Sequence, residues 1–169
     1  MTEWNAGHYL KYGDERTRPA WDLAARIQLE APQKIVDLGC GPGNSTQVLR
    51  SRWPDADITG IDSSSTMIEN ARRDWPDHNW LQADISGWTG NSPYDLVFSN
   101  AALQWIPNHH LLMPHLLSLV AQGGVLAFQI PSSVFAVVRT LIHEISCDPE
   151  WTDRMTGARS ALTMEAPSF

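Results

Sequence analysis

Val36-Asp37-Leu38-Gly39-Cys40-Gly41-Pro42-Gly43-Asn44 runs from the end of a strand through a glycine-rich turn into the start of a helix. Lys34 to Leu38 is a short β-branched run, and Asn44 to Arg52 carries a helical pattern whose first N–H groups Asn44 or Ser45 can cap. Glycines in such a turn let the backbone bend tightly and approach a ligand. The helix start behind them adds oriented N–H donors and positive potential. A polar or anionic ligand group therefore belongs above residues 39 to 44.

Downstream the same alternation recurs. Asp57 to Ile61 reads as a strand, and Thr66-Met-Ile-Glu69 as a capping box opening a helix that runs to about Arg73. Trp80 to Asp84 is a short third strand and Tyr94 to Asn100 a fourth. His109 to Val120 is helical despite Pro114, Gly123-Gly124 breaks the chain, and Val125 to Ile130 is a fifth strand. Ser133 to Ile145 sets Phe135, Val138, Leu141, Ile142 and Ile145 on one helical face, and from Asp148 the pattern fades. Upstream, Thr17 to Glu30 has helical spacing behind Pro19 and stops before Pro32. Strands alternating with helices predict an α/β fold: a doubly wound, mostly parallel sheet of about five strands with helices on both faces. The expected domain is 1–147, with an N-terminal lid and helix (1–31) and a ligand-binding core (34–131), followed by an irregular tail (148–169).

With 43% hydrophobic and 18% charged residues, the chain has enough apolar material to form a core. A net charge of −7 is the wrong sign for a surface that holds a phosphate backbone, so a small-molecule or protein partner is expected and nucleic acid is not. Cys40 and Cys147 supply neither a disulfide framework nor a metal-ligand spacing, which fits a reducing cytoplasm and no metal. The first residues contain no apolar run suited to a signal peptide or a membrane span.

Two ligand classes use a strand, glycine turn and helix. The dinucleotide fingerprint G-x-G-x-x-G would need glycine where Asn44 stands, which weakens a nicotinamide reading. Asp62 closes the second strand where a carboxylate can accept two hydrogen bonds from ribose hydroxyls, and Met67 lies one turn on. Strand-end Asp and Asn also serve as caps and turn formers. Yet Asp37, Asp62, Asp84 and Asn100 fall at or after four successive strands, as expected when ligands bind outside the carboxyl ends of a parallel sheet.

Asp37 with Gly39, Gly41 and Gly43 resembles the first motif of class I S-adenosylmethionine-dependent methyltransferases. That resemblance implies that Asp37, Gly39, Cys40, Gly41 and Asn44 hold the methionine and ribose part of S-adenosylmethionine. It also implies that Asp62 and Ser63 meet the ribose, Met67 packs on the adenine, Asp84-Ile85 receive its amino group, and Asn100 faces the sulfonium. Trp4-Asn5, Tyr9-Leu10, Glu15-Arg16, Arg18-Pro19, DLGCGPGNST (37–46), GIDSSSTMI (60–68) and NAALQW (100–105) are similar to the trans-aconitate 2-methyltransferase family over residues 2 to about 131.

The family resemblance implies methyl transfer to a carboxylate of a small polycarboxylic acid. A carboxylate of pKa about 4 is already anionic at neutral pH and needs no general base. Positioning then carries the catalysis, and Tyr9, Arg16, Gln104 and Trp105 are its candidates, with His8, Tyr12 and Arg18 beside them. His109 and His110, at a helix start, read as surface residues, and Cys40 is not a nucleophile. The family continues beyond the fifth strand with an antiparallel pair, which this chain of 169 residues is too short to include. Two expectations follow. One is an alternative reading as a truncated cofactor-binding module without turnover; the other is that an exposed fifth strand forms a homodimer or is covered by a folded-back tail.

Overall fold

The computed structural model describes residues 13–90 and 93–130. Its helices are α1 (Gly13–Ala25), α2 (Asn44–Arg52), α3 (Ser65–Asp74) and α4 (His109–Ser118), with a 3-10 turn at Leu103–Trp105. Its strands are β1 (Lys34–Leu38), β2 (Asp57–Asp62), β3 (Asn79–Gln82), β4 (Tyr94–Asn100) and β5 (Val120–Gln129). All four pairings are parallel and the order is β3-β2-β1-β4-β5, the doubly wound, Rossmann-like arrangement expected from the alternation. The chain steps outward from β1 through β2 to β3, then returns to β4 on the other side of β1. That reversal opens a crevice above the carboxyl ends of β1 and β4.

The apolar runs in the central strands are near-continuous because both faces are covered. Ile35, Leu96 and Phe98 pack under α1 and α2 with Ala20, Ala24, Val48 and Leu49. Val36, Leu38 and Val97 turn the other way, against Leu112 and Leu116 of α4. Ile68 and Ala71 of α3 pack with Trp80 of β3 and Cys40. No helix among the described residues is long and apolar enough to cross a membrane.

Several boundaries differ from the sequence reading. Helix α1 runs Gly13–Ala25 rather than 17–30, so Pro19 lies inside it and not in its first turn. Past Ala25, side chains from α2 and its C-cap hold the chain. Arg52 donates to the carbonyls of Ala24 and Ile27, and the Trp53 indole donates to the Leu29 carbonyl at 3.1 Å. Helix α3 is capped by Ser64, whose hydroxyl accepts from the Met67 amide at 3.4 Å, and not by Thr66, which already lies in the first turn. Helix α2 has Gly43, in the left-handed region at φ 100°, as its N-cap. Neither Asn44 nor Ser45 caps it, and the Ser45 hydroxyl bonds Asp37 instead.

Gly123-Gly124 does not break the chain, because β5 runs through it from Val120 with a register shift opposite Tyr94 and Leu96. A Cβ at Gly124 would stand 2.8 Å from the Asp95 carbonyl oxygen, so glycine is what allows this bulge. Strand β3 ends at Gln82, two residues early, and α4 at Ser118 with Pro114 inside it. The helix expected over 133–145 and the tail from Asp148 lie outside the described residues.

Candidate functional site

A cavity of about 490 Å³ opens at the crevice. Its floor is the glycine turn, through Gly39 and Gly41. Asp62, Ser63, Ser64 and Met67 form one side, Asp84, Ile85 and Ser86 a second, and Ala101, Ala102, Trp105, Ile106 and Pro107 a third. On the other side of Gly39 lies a small cleft of about 20 Å³, lined by Thr17 and Ala20 of α1, by Cys40, Pro42, Asn44 and Ser45, and by Asn100. The sheet thus gathers the sequence-predicted residues Asp62, Ser63, Met67, Asp84 and Ile85 around the larger space, and Cys40, Asn44 and Asn100 around the smaller.

The turn has steric reasons for its glycines. Gly39 sits at φ +73°, where a Cβ would lie 2.2 Å from the Ala102 Cβ. Gly41, at φ +55°, has no atom within 4 Å of its would-be Cβ, so this stretch of backbone faces open space. Gly43 is backed by the Trp80 ring, 2.7 Å from its would-be Cβ. The same indole crowds Gly60, 2.4 Å from the Cβ a larger residue would add there. Trp80 therefore props the turn from behind, a role its sequence setting does not signal.

Asp37 is fully buried beneath the turn. Its Oδ2 accepts from the Ser45 and Thr46 hydroxyls, both at 2.6 Å, while Oδ1 has no partner among the described residues. Burial pushes its carboxyl up to about 6; the two hydroxyls pull it back and the Asp62 charge pushes it further up. Asp62 is aligned by backbone: Oδ2 accepts from the Gly41 amide at 3.0 Å and Oδ1 from the Ser64 amide at 2.9 Å. One carboxylate thereby fixes the turn after β1 to the turn after β2. Asp84 lies exposed at the rim. Its Oδ1 accepts from the Ser86 hydroxyl at 2.7 Å and the Ser86 amide at 2.9 Å, which hold its carboxyl below the usual range.

Met67 and Ile85 are apolar lining residues beside Asp62 and Asp84, 6% and 7% exposed. Cys40 is buried against Ile68, Ala71 and Trp80, and burial, reinforced by the charges of Asp37 and Asp62, pushes its thiol well above the ordinary range. A protonated, enclosed thiol is inert.

The third wall is a strained turn. Ala101, directly after β4, sits at φ 54° although it is not glycine. Its amide donates to the Gln129 carbonyl at 2.8 Å, and the Gln104 side chain donates to its carbonyl at 2.7 Å. Gln104 thus points its NH2 group at the turn, and it does not line the cavity; its Oε1 is buried with no partner among the described residues. Trp105 does line it, 57% exposed. His109 is half-buried rather than a surface residue, with Nε2 2.8 Å from the Leu103 carbonyl; His110 is exposed.

Arg18 is a solvated helix residue 4.0 Å from Asp22. His8, Tyr9 and Tyr12 lie outside the described residues, as does the side chain of Arg16. The lining by Ser64, Ala101, Ala102, Ile106 and Pro107 has no counterpart in the sequence reading. A positive φ at an alanine has no sequence signature, and small apolar residues carry no chemical signal.

Residues 35–124 match the family model described as methyltransferase domain. The chain is 44% identical over 158 residues to a trans-aconitate 2-methyltransferase of Rhodopseudomonas palustris, spanning 94% of this chain and 62% of that protein. It is 47% identical over 154 residues to one of Escherichia coli, spanning 91% of this chain and 61% of that protein. Among solved structures, an S-adenosylmethionine dependent methyltransferase from Mesorhizobium loti superposes with a TM-score of 0.60 at 25% identity, over 68% of this chain and 53% of that one. The chain thus spans a little over three-fifths of the length of these two curated relatives.

Proposed function

The chain belongs to the methyltransferase domain family, and from that premise we propose that it uses S-adenosylmethionine to methylate a carboxylate of a small polycarboxylic acid, with trans-aconitate as substrate and its monomethyl ester as product. The observation that carries this reading is the cavity at the sheet reversal, which joins an open glycine backbone, the Asp62 carboxylate and an apolar pair, Met67 and Ile85. The trans-aconitate acceptor rests on the relatives' names.

The residues fit an adenosyl ligand. A space of about 490 Å³ is within the ordinary range for a small-molecule site. The open backbone at Gly41 admits close approach. Each Asp62 oxygen accepts one amide and keeps a lone pair for a ribose hydroxyl. Met67 and Ile85 offer apolar faces to the adenine, Asp84 accepts from its amino group, and Ser63 lies beside the ribose. Asp37, Gly39, Cys40 and Asn44 shape the turn and the small cleft that take the methionine end, and Asn100 faces the sulfonium. When bound, the cofactor supplies an electrophilic methyl group on a positively charged sulfur.

The substrate carboxylate arrives ionised, so the protein has no proton to remove. What the protein must do is aim the carboxylate in line and exclude water, so that the two opposite charges meet in a poorly screening site. Trp105 at the rim covers the entrance and Gln104 fixes the turn beneath it. Tyr9 and Arg16 are the further positioning residues of this reading, with Arg16 pairing with a substrate carboxylate. The domain spans 1–147, and the enzyme works in the cytoplasm without nucleic-acid or membrane partners, as a homodimer through β5.

Calorimetric titration with S-adenosylhomocysteine, followed by a methyl-transfer assay on trans-aconitate, tests this reading. Binding with turnover supports it. Failure of folded protein to bind overturns the cofactor assignment, and binding without methylation of trans-aconitate overturns the acceptor.

A further inference from the structure

The third wall of the cavity is carried by the segment from Ala101 to Pro107. A strained corner bounds it at each end: Ala101 at φ 54° and Asn108 at φ 59° are the non-glycine residues with positive φ among the described residues. Between them Leu103 is fully buried and Ile106 half-buried in the cluster that holds Leu112 and Leu116 of α4, whereas Trp105 and Pro107 stand exposed. Trp105, more than half exposed, is therefore aimed largely by the backbone beneath it.

A side chain ties the backbone beside each corner. Gln104 donates to the Ala101 carbonyl at 2.7 Å. At the other end the ring of His109, the first residue of α4, reaches back past Asn108. Its Nε2 lies 2.8 Å from the Leu103 carbonyl, which also takes the Ile106 amide at 3.0 Å. A carbonyl only accepts, so this nitrogen carries the hydrogen. Asn108 gives α4 no side-chain cap. The imidazole thus joins the start of α4 to the turn that carries Trp105 and closes residues 104–108 into a loop. Strained backbone persists where its surroundings over-determine it, and such positions cluster at functional sites.

We propose that His109 is a positioning residue for the methyl acceptor: by holding the Leu103 carbonyl it keeps Trp105 at the mouth of the cavity. This deepens the carboxyl methyl-transfer reading and rests on it. In that reading the cofactor takes the glycine floor and the walls of Asp62 and Asp84, so the wall that carries Trp105 is left to the acceptor. An imidazole has only two side-chain torsions to fix, and holds this distance at less entropic cost than a lysine or glutamine would.

The test uses the full chain. His109→Phe keeps a ring in the half-buried position and removes the donor, while His109→Gln keeps a donor of similar reach. In methylation of trans-aconitate, His109→Phe should lower kcat/KM roughly tenfold, the factor expected for one lost hydrogen bond of about 1.4 kcal/mol. His109→Gln should recover part of that loss, and S-adenosylhomocysteine affinity should stay close to the parent's in both. In a double-mutant cycle His109→Phe should add nothing to Trp105→Ala, because it acts through that indole. In nitrogen-15 spectra of the S-adenosylhomocysteine complex, His109→Phe should move the Trp105 indole NH resonance and leave that of Trp80 in place.

Four results overturn the assignment: a folded His109→Phe with unchanged kcat/KM, a His109→Gln no better than His109→Phe, a loss that adds in full to that of Trp105→Ala, or an S-adenosylhomocysteine affinity that falls in parallel. A parent that does not methylate trans-aconitate removes the acceptor reading by itself, and the Trp105 resonance then decides. A resonance that moves with His109→Phe keeps the tie to the rim, and one that stays in place discards it. The same resonance decides where Trp105→Ala has no turnover left to lower.

Discussion

Asp37 is the residue whose chemistry departs furthest from its ordinary state. Its folded carboxyl titrates near 6, above the usual 3.8. A raised carboxyl stabilises the fold fully below the unfolded value, and that contribution disappears as pH rises through about 6. The loss is on the order of 3 kcal/mol, since every tenfold change in proton affinity is worth about 1.4 kcal/mol. Asp37→Asn keeps an oxygen for the Ser45 and Thr46 hydroxyls and removes the charge, so thermal melts should show it gaining on the parent at pH 8 and not at pH 4. The same substitution should weaken S-adenosylmethionine, because the ligand's positive groups favour the ionised carboxylate. In the parent, calorimetric affinity should fall as pH drops below about 6. At Gly39, alanine meets both a left-handed backbone and the Ala102 Cβ. Gly39→Ala should abolish measurable S-adenosylhomocysteine binding, and adding Ala102→Gly should restore stability only partly, because the cost of φ +73°, about 1–2 kcal/mol, remains. Asp62→Ala removes the acceptor for the Gly41 and Ser64 amides as well as for the ligand, and should weaken S-adenosylhomocysteine at least about tenfold, as expected for hydrogen bonds to a charged group.

Between elements, the docking of α1 depends on a few polar contacts over an apolar seam. Arg52 reaches from the end of α2 to the carbonyls of Ala24 and Ile27, and its guanidinium lies 4.6 Å from the Trp53 ring centre. These contacts add side-chain donors to the Ala24 carbonyl, which also accepts from the Ile27 amide at 3.1 Å, and to the Ile27 carbonyl just beyond α1. Arg52→Ala should cost about 1–3 kcal/mol in chemical denaturation and speed hydrogen exchange in α1 before it does so in β1 or β4. Arg52→Lys, with a single donor point in place of a planar fork, should not restore the loss. Uniform exchange across all elements would show that α1 has no separate docking step. The end of α1 is not legible in the sequence because the interactions that hold residues 26–30 come from α2 and its C-cap, at positions 52 and 53, rather than from their own periodicity. For the same reason Ser64 rather than Thr66 opens α3: either hydroxyl can cap, and the geometry of the preceding turn decides.

At the scale of the molecule, β5 is an edge strand of the described sheet and β3 is the other edge. Apolar edges invite pairing, so the proposed homodimer should appear in sedimentation velocity as a concentration-dependent shift toward twice the monomer mass; a constant monomer mass removes it. The order of residues is enough to specify the succession of strand and helix, the parallel α/β class, the glycine turn and the carboxylates at the strand ends. These depend on local rules: period, turn chemistry and the chirality of β-α-β connections. Which residues share the cavity is settled only when the chain is folded. The left-handed Ala101, the indole of Trp80 behind Gly43 and Gly60, and the Gln104 bond to the turn all join residues that reach each other only across the sheet or the turn above it. Spacing along a chain specifies periodicity; it does not specify which strand lies beside which.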